Sequence, residues 1–274
     1  MNNAEPGRWA LCLSFPLAVL LAAAAFGGLF LPATYARETR LIAAQNIGGD
    51  ALNLIVIVPG LLVGAMLALR GSVRARLVWT SILVYLLYDF LYYALAVHFN
   101  SLFLAYCGVL GLSFYALAGT LPSLSVSEIA RRYGPRFPVK ATVVVLLLMA
   151  LGTVFHWLNE IVPTVLTGQE PQAVRNSGLV TEPAAVLDLA FMAPASLAGA
   201  ILLLRRKPMG FVLGQVLLTF LVLSSLGLVS LGAAVNLRGL KADYALFPIA
   251  LGIAAGSALL LALSLREYSA APHS

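Results

Sequence analysis

The chain has 274 residues, of which 61% are hydrophobic and 10% charged, with a net charge of +6. A soluble domain of this size carries about a quarter of its residues as charges, so lipid is the solvent for most of this one. The positive balance does not point to nucleic acid, because the arginines are spread through short segments between oily runs and form no basic patch in an autonomous domain.

Inside a bilayer the backbone must satisfy its own hydrogen bonds, which leaves a helical bundle or a closed barrel. The oily runs are roughly 18 to 25 residues long without polar alternation, which fits spanning helices and not the ~10-residue strands of a barrel. The expected fold class is all-α, a polytopic transmembrane bundle forming one membrane domain over 1–274. Eight spans are predicted at about 10–31, 51–69, 77–97, 101–122, 141–163, 184–204, 211–236 and 244–265.

The first span has a basic flank, an oily core and small residues at Thr34 and Ala36 that imitate a signal-peptide cleavage site. Its core of about 22 residues suits a retained helix better. Asp50 and Asn53 fall at the outer end of the second span. The third contains "VYLLYDFLYYALAV", in which Tyr85, Asp89, Tyr92 and Tyr93 share a helical stripe. Tyrosine hydroxyls could there hold the Asp89 carboxylate, or the rings could line an aromatic pocket. His98 and Asn100 lie at outer helix ends beside the fourth span. The fifth ends in "FHWLNEIVP", where His156 and Glu160 are four apart on one face. That spacing suits a His–carboxylate bond, a two-ligand metal edge or a proton relay, while Trp157 reads as an interfacial anchor. Asp188 opens the sixth span. Cys12 and Cys107 fall inside spans and read as small packing residues.

Ionisable groups within a membrane usually face a bundle interior or a wet cavity. At ~1.5 Å per residue, Asp89 lies about 18 Å from the inner edge, His156 about 22 Å, Glu160 near 28 Å, and Asp188 about 6 Å below the outer surface. These depths predict a polar layer opening outward.

Lys and Arg number twelve on one side of this arrangement and five on the other, so the richer side and both termini are expected in the cytoplasm. Aligning the chain on itself at an offset of 135 residues superposes "NLIVIVPGLLVGAMLALR" (53–70) on "DLAFMAPASLAGAILLLR" (188–205), with eight of eighteen positions identical. Matched Pro59/Pro194, Gly64/Gly199 and Arg70/Arg205 suggest a four-helix unit, 1–135, duplicated in tandem as 136–274. An even helix count gives both copies one orientation. The prolines should bend their helices, and Gly60/Gly64 and Ala195/Gly199 should permit close packing. Asp188 then corresponds to Asn53, whereas Asp89 corresponds to Ser224, His156 to Leu21 and Glu160 to Ala25.

No HExxH, GxSxG, phosphate loop or cysteine pair is present. His98, His156 and His273 are the only histidines, and His273 is in the tail. No cofactor is implied and no metal site is assigned. Two stretches, "HFNSLFLAYCGVLGLSFYAL" (98–117) and "VLDLAFMAPASLAGAILLLRRKPMG" (186–210), resemble a group of uncharacterised bacterial multi-pass cytoplasmic-membrane proteins of about eight helices. Asn100 and Asp188 match the two segments, and Met209 stands where an aromatic residue is expected. The resemblance implies a bacterial inner-membrane location and no activity.

Three functions stay open. One is an ion or small-molecule binding or transport protein with an outward-facing pocket and proton-responsive Asp89, His156 and Glu160. Another is an accessory or sensory membrane protein without turnover. The last is an intramembrane enzyme, such as a metal-assisted lipid hydrolase drawing on Asp89, His98, His156, Glu160 and Asp188.

Overall fold

A computed structural model describes residues 7–240 and 246–268. Lys241, counted above among the outer charges, and His273 lie outside the described residues. Eight helices are long and apolar enough to cross a membrane: α1 Arg8–Phe30, α2 Arg40–Leu69, α3 Val73–Ala96, α4 Phe103–Ser123, α5 Val139–Thr167, α6 Pro183–Leu204, α7 Pro208–Leu237 and α8 Phe247–Arg266. Short helices at Val126–Arg131 and Gln172–Ser177 sit in two of the connections. No strand occurs among the described residues. Bulky apolar side chains such as Leu95, Leu104, Phe155 and Leu166 project outward, as lipid contact requires.

The eight expected spans are all present, with one boundary wrong. The second helix starts at Arg40, about a third of its length before the predicted edge. Thr39 caps it, accepting the Ile42 N–H at 3.3 Å through its hydroxyl. Gln45, Asn46 and Asp50 depress the hydropathy of this added turnout, yet Gly48 and Gly49 let it press into the bundle. A β-carbon on Gly48 would stand 2.6 Å from the Leu231 Cα and from the Ser230 carbonyl of α7. The Ser230 hydroxyl closes the same contact by donating to the Gly48 carbonyl at 2.6 Å. Asp50 and Asn53 are therefore buried within a helix, not stationed at its outer end.

α7 is the central helix. Gln215 through Leu221 are all buried, so this stretch of nearly two turns is enclosed on every side. α7 packs against α2, α3, α6 and α8, while α3 packs against α2, α4 and the start of α6. The two cysteines are exposed on the outer surface of α1 and α4, so they do not act as packing residues.

The two stretches that align in sequence have the same backbone. Each contains a π turn, Asn53–Ile57 and Asp188–Met192, in which the N–H five residues on bonds to the carbonyl of Asn53 or Asp188. Each π turn runs into an α-helix carrying proline in its first turn, Pro59 or Pro194. A proline that offers no N–H makes the regular ladder impossible there, and the wider turn is how both helices absorb it. The helices also end alike. Ser72 N–H bonds to the Leu67 carbonyl at 3.1 Å and Lys207 N–H to the Leu202 carbonyl at 2.8 Å, each beside a tighter inner bond from residue 71 or 206. Gly71 occupies the left-handed region at φ 90°, and its counterpart Arg206 does so at φ 50°. A side chain in that region costs about 1 kcal/mol. Arg206→Gly should therefore raise stability by about 1 kcal/mol, read as a higher midpoint of thermal unfolding in detergent. An unchanged or lowered midpoint would count against this geometry.

Gly64 faces the Trp79 Cβ on α3, and Gly199 faces Leu213 and Leu217 on α7. The small-residue pairs thus serve close packing between consecutive spans. At the opposite end of the bundle from the polar residues below, Arg74 lies over the Tyr268 ring at 6.0 Å and donates to its carbonyl, while Arg76 bonds to Ser123 and Arg132 to Glu128.

Candidate functional site

The acids of α2, α3 and α6 are held in one band near the end of the bundle that carries the 31–39, 97–102 and 168–182 connections. α3 organises it. Consecutive residues on a helix point about 100° apart, and residues four apart share a face. Asp89 and Tyr93 therefore look toward α2, while Tyr88 looks toward α6.

Toward α2, the Asn53 side-chain amide donates to Asp89 Oδ2 at 2.8 Å. One turn away, Asp50 accepts from Tyr35 at 2.6 Å through Oδ2, and its Oδ1 lies 3.3 Å from the Tyr93 hydroxyl. Tyr93 is also placed to donate to the Asn46 carbonyl at 3.0 Å. Asn46, Asp50 and Asn53 thus form one stripe on α2, all buried. Gly28 of α1 backs the Asp50 carboxylate so closely that no side chain fits between them.

Toward α6, Asp188 accepts from the Tyr88 hydroxyl at 3.0 Å and from the Trp157 indole N–H at 2.9 Å. Trp157 is thus a hydrogen-bond donor to a half-buried acid in addition to any interfacial role. His156 lies tilted against Trp157 with ring centroids 4.8 Å apart, but its own side chain is exposed. Glu160 lies within electrostatic reach of Glu182, which precedes α6, and Glu182 of Asp188. The His156–Glu160 face therefore flanks the band, with His156 within electrostatic reach of Asp188 and Glu160 of Glu182.

The tyrosine stripe expected around Asp89 is redistributed. Tyr85 is buried and tilted against Phe220 of α7 at 6.2 Å, and Tyr92 packs edge-on to Tyr93 at 6.2 Å. Asp89 is held by Asn53 and not by a tyrosine, whereas Tyr93 serves Asp50 and Tyr88 serves Asp188. His98 pairs with Glu38 across the loops, Nδ1 to Oε2 at 3.0 Å, and so is drawn away from Asp89. Asn100 is a local brace, its Oδ1 accepting the Leu102 N–H at 2.8 Å and its amide donating to the His98 carbonyl at 3.2 Å. Sequence reasoning missed Tyr35, Glu38, Tyr88 and Glu182, and placed Asp50 outside the layer it belongs to.

Charge balance distinguishes this band from ordinary packing. Among the described residues, Asp50, Asp89 and Asp188 have no Lys or Arg within salt-bridge distance. Their partners are amides, phenols and an indole. Carboxyls screened from water without a counter-charge must be protonated or must be joined by a cation. Also among the described residues, no three His, Cys, Asp or Glu side chains are arranged to hold a metal ion, so the metal-assisted constellation of Asp89, His98, His156, Glu160 and Asp188 does not assemble.

Glu182 lies outside the spans, and burial pushes its carboxyl above the usual carboxylate range. The Ala184 N–H opposes that shift, and the neighbouring charges of Glu160 and Asp188 add to it. A raised acid binds its proton more tightly when folded, so its contribution to stability is complete below the usual carboxylate range and is lost as pH rises through the raised value. Thermal midpoints in detergent should fall across that window, and Glu182→Gln should flatten the slope. An identical slope in the variant would show that another group carries it.

Compared with protein-family models, curated proteins and solved structures, the chain gives no match.

Proposed function

We propose that this is a multi-pass protein of the bacterial cytoplasmic membrane that binds and moves a small ion through its acid band, which opens to the extracytoplasmic side. Both termini lie in the cytoplasm and the two four-helix units, 1–135 and 136–274, arose by tandem duplication in one orientation. The repeated π turn, proline and helix end favour the duplication, and the Arg-rich opposite end favours the orientation. The observation that carries the functional reading is Asp89: a carboxyl in a membrane bundle held by one neutral amide, with no basic partner among the described residues. Ionisable side chains at such places mark ion or proton paths.

The test is flux. Purified protein in liposomes containing a pH-sensitive dye should dissipate an imposed proton or cation gradient, and Asp89→Asn should abolish this while unfolding within a few degrees of the parent. No flux in the parent, with Asp89→Asn altering only thermal stability, would favour the accessory reading. That reading draws its support from Asp188, which accepts on both oxygens, and from Asp50, which accepts from Tyr35, as structural acids would.

A further inference from the structure

The two halves end their π turns differently, and the difference points to a ligand. In the second half Asp188 is closed by donors, Tyr88 on one oxygen and Trp157 on the other. In the first half the corresponding residue is Asn53, wholly buried, whose amide NH2 donates to Asp89 and whose Oδ1 has no donor among the described residues. Leaving a buried amide oxygen without a partner is costly, and it sits beside a carboxylate that, among the described residues, accepts from Asn53 alone. Pro59 offers no N–H to the carbonyls four and five residues back, Ile55 and Leu54, and Pro194 likewise offers none to Ala190 and Leu189, so the prolines are common to both junctions. The difference between the junctions lies in the side chains: Asp188 has a donor on each oxygen, whereas Asn53 Oδ1 has none.

We propose that Asn53, Asp89 and the π turn opened by Pro59 bind a small monovalent cation of the sodium class, a proposal that rests on the ion-handling reading of this same band. A ligand that completes several oxygen acceptors must be donor-only, and a bare cation is the simplest such species. The charge count selects its valence. Asp50 is one turn away, but its Oδ2 is held by Tyr35 against Gly28 and its Oδ1 shares the Tyr93 hydroxyl with the Asn46 carbonyl, so Asp89 is the carboxylate that Asn53 itself meets. Calcium sites usually recruit more carboxylates, and magnesium gives up its water reluctantly. Transition metals favour imidazole or thiolate, and neither borders Asn53 among the described residues. Freed helix carbonyls and a nearby carboxylate are also how broken membrane helices hold Na+.

The full chain in detergent should bind 22Na+ saturably, and NaCl should raise its thermal midpoint where N-methylglucamine chloride at equal ionic strength does not. Asn53→Ala and Asp89→Asn should each weaken that affinity at least tenfold, and Asp188→Asn should leave it within twofold. Equal midpoints in the two salts together with no saturable 22Na+ binding to the parent would overturn the proposal, and this reading needs no variant to fold. Na+ binding that survives both first-half variants would overturn it as well. Saturable Na+ binding without flux in liposomes would remove the transport reading and keep this site. Proton flux in Na+-free buffer by a protein that binds no Na+ would do the reverse.

Discussion

Gly28→Ala should destabilise the protein by about 3 kcal/mol or more. The new β-carbon would stand 1.8 Å from Asp50 Oδ2, 2.6 Å from its Cγ and 2.7 Å from the Tyr35 hydroxyl. No rotation of the alanine relieves this, because a β-carbon is fixed by the backbone. The carboxylate must move, and its 2.6 Å bond from Tyr35 goes with it. Two buried polar groups then lose their partner at once, which adds to the steric cost. Gly111→Ala on α4 is the control, since nothing lies within 4 Å of a β-carbon there, and alanine is the better helix former. Tyr35→Phe separates clash from hydrogen bond. Alone it should cost about 1 kcal/mol or more, and in the Gly28→Ala background it should cost much less, because the bond is already broken. Thermal or denaturant unfolding in detergent reads all four proteins. If Gly28→Ala unfolds as Gly111→Ala does, Asp50 is not seated against α1.

The same corner shows why the sequence was legible only to a point. Length and hydropathy reveal eight spans because lipid imposes a requirement on every residue of a span. The start of α2 escapes that test. Its first turns are shielded by α1 and α7, so Asn46, Asp50 and two glycines are tolerated where a lipid-facing helix would need leucine. Thr39 as a capping residue and the Gly48–Gly49 pair were the available signals, and both are weak outside a packed context. Which acid meets which donor was less legible still. Tyr85, Asp89, Tyr92 and Tyr93 do form a stripe, but the rotation of α3 against its neighbours decides whether a hydroxyl turns back to Asp89 or crosses to Asp50. Tyr88 lies outside that stripe because it is adjacent to Asp89, and adjacency on a helix sends two side chains to different partners. The aligned segments told more, because proline and glycine act on the backbone itself and their consequences repeat wherever they recur.

Asn53→Asp should cost about 3 kcal/mol, the other large effect expected in this protein. The amide that donates to Asp89 at 2.8 Å would become a second carboxylate at the same distance, and no Lys or Arg among the described residues stands close enough to offset it. Asp89→Asn alone should cost only about 1 kcal/mol, since two amides can still pair. The double variant Asn53→Asp/Asp89→Asn rebuilds one donor and one carboxylate with their helices exchanged, and should lie within about 1 kcal/mol of the parent. A double variant no more stable than Asn53→Asp would mean that these side chains do not meet. An acid on a π-turn helix already occurs at Asp188, which aligns with Asn53 in sequence and faces the donors Tyr88 and Trp157. Stability at such a place requires only that the carboxyl face donors. Cation binding asks for more, since in the exchanged variant the carboxylate sits on the buried α2 side of the pair, while in the parent it is the half-buried α3 side that a ligand can reach. The exchanged protein should therefore recover its unfolding midpoint but not its affinity for Na+, which separates what holds the helices together from what the acid of α3 is there to bind.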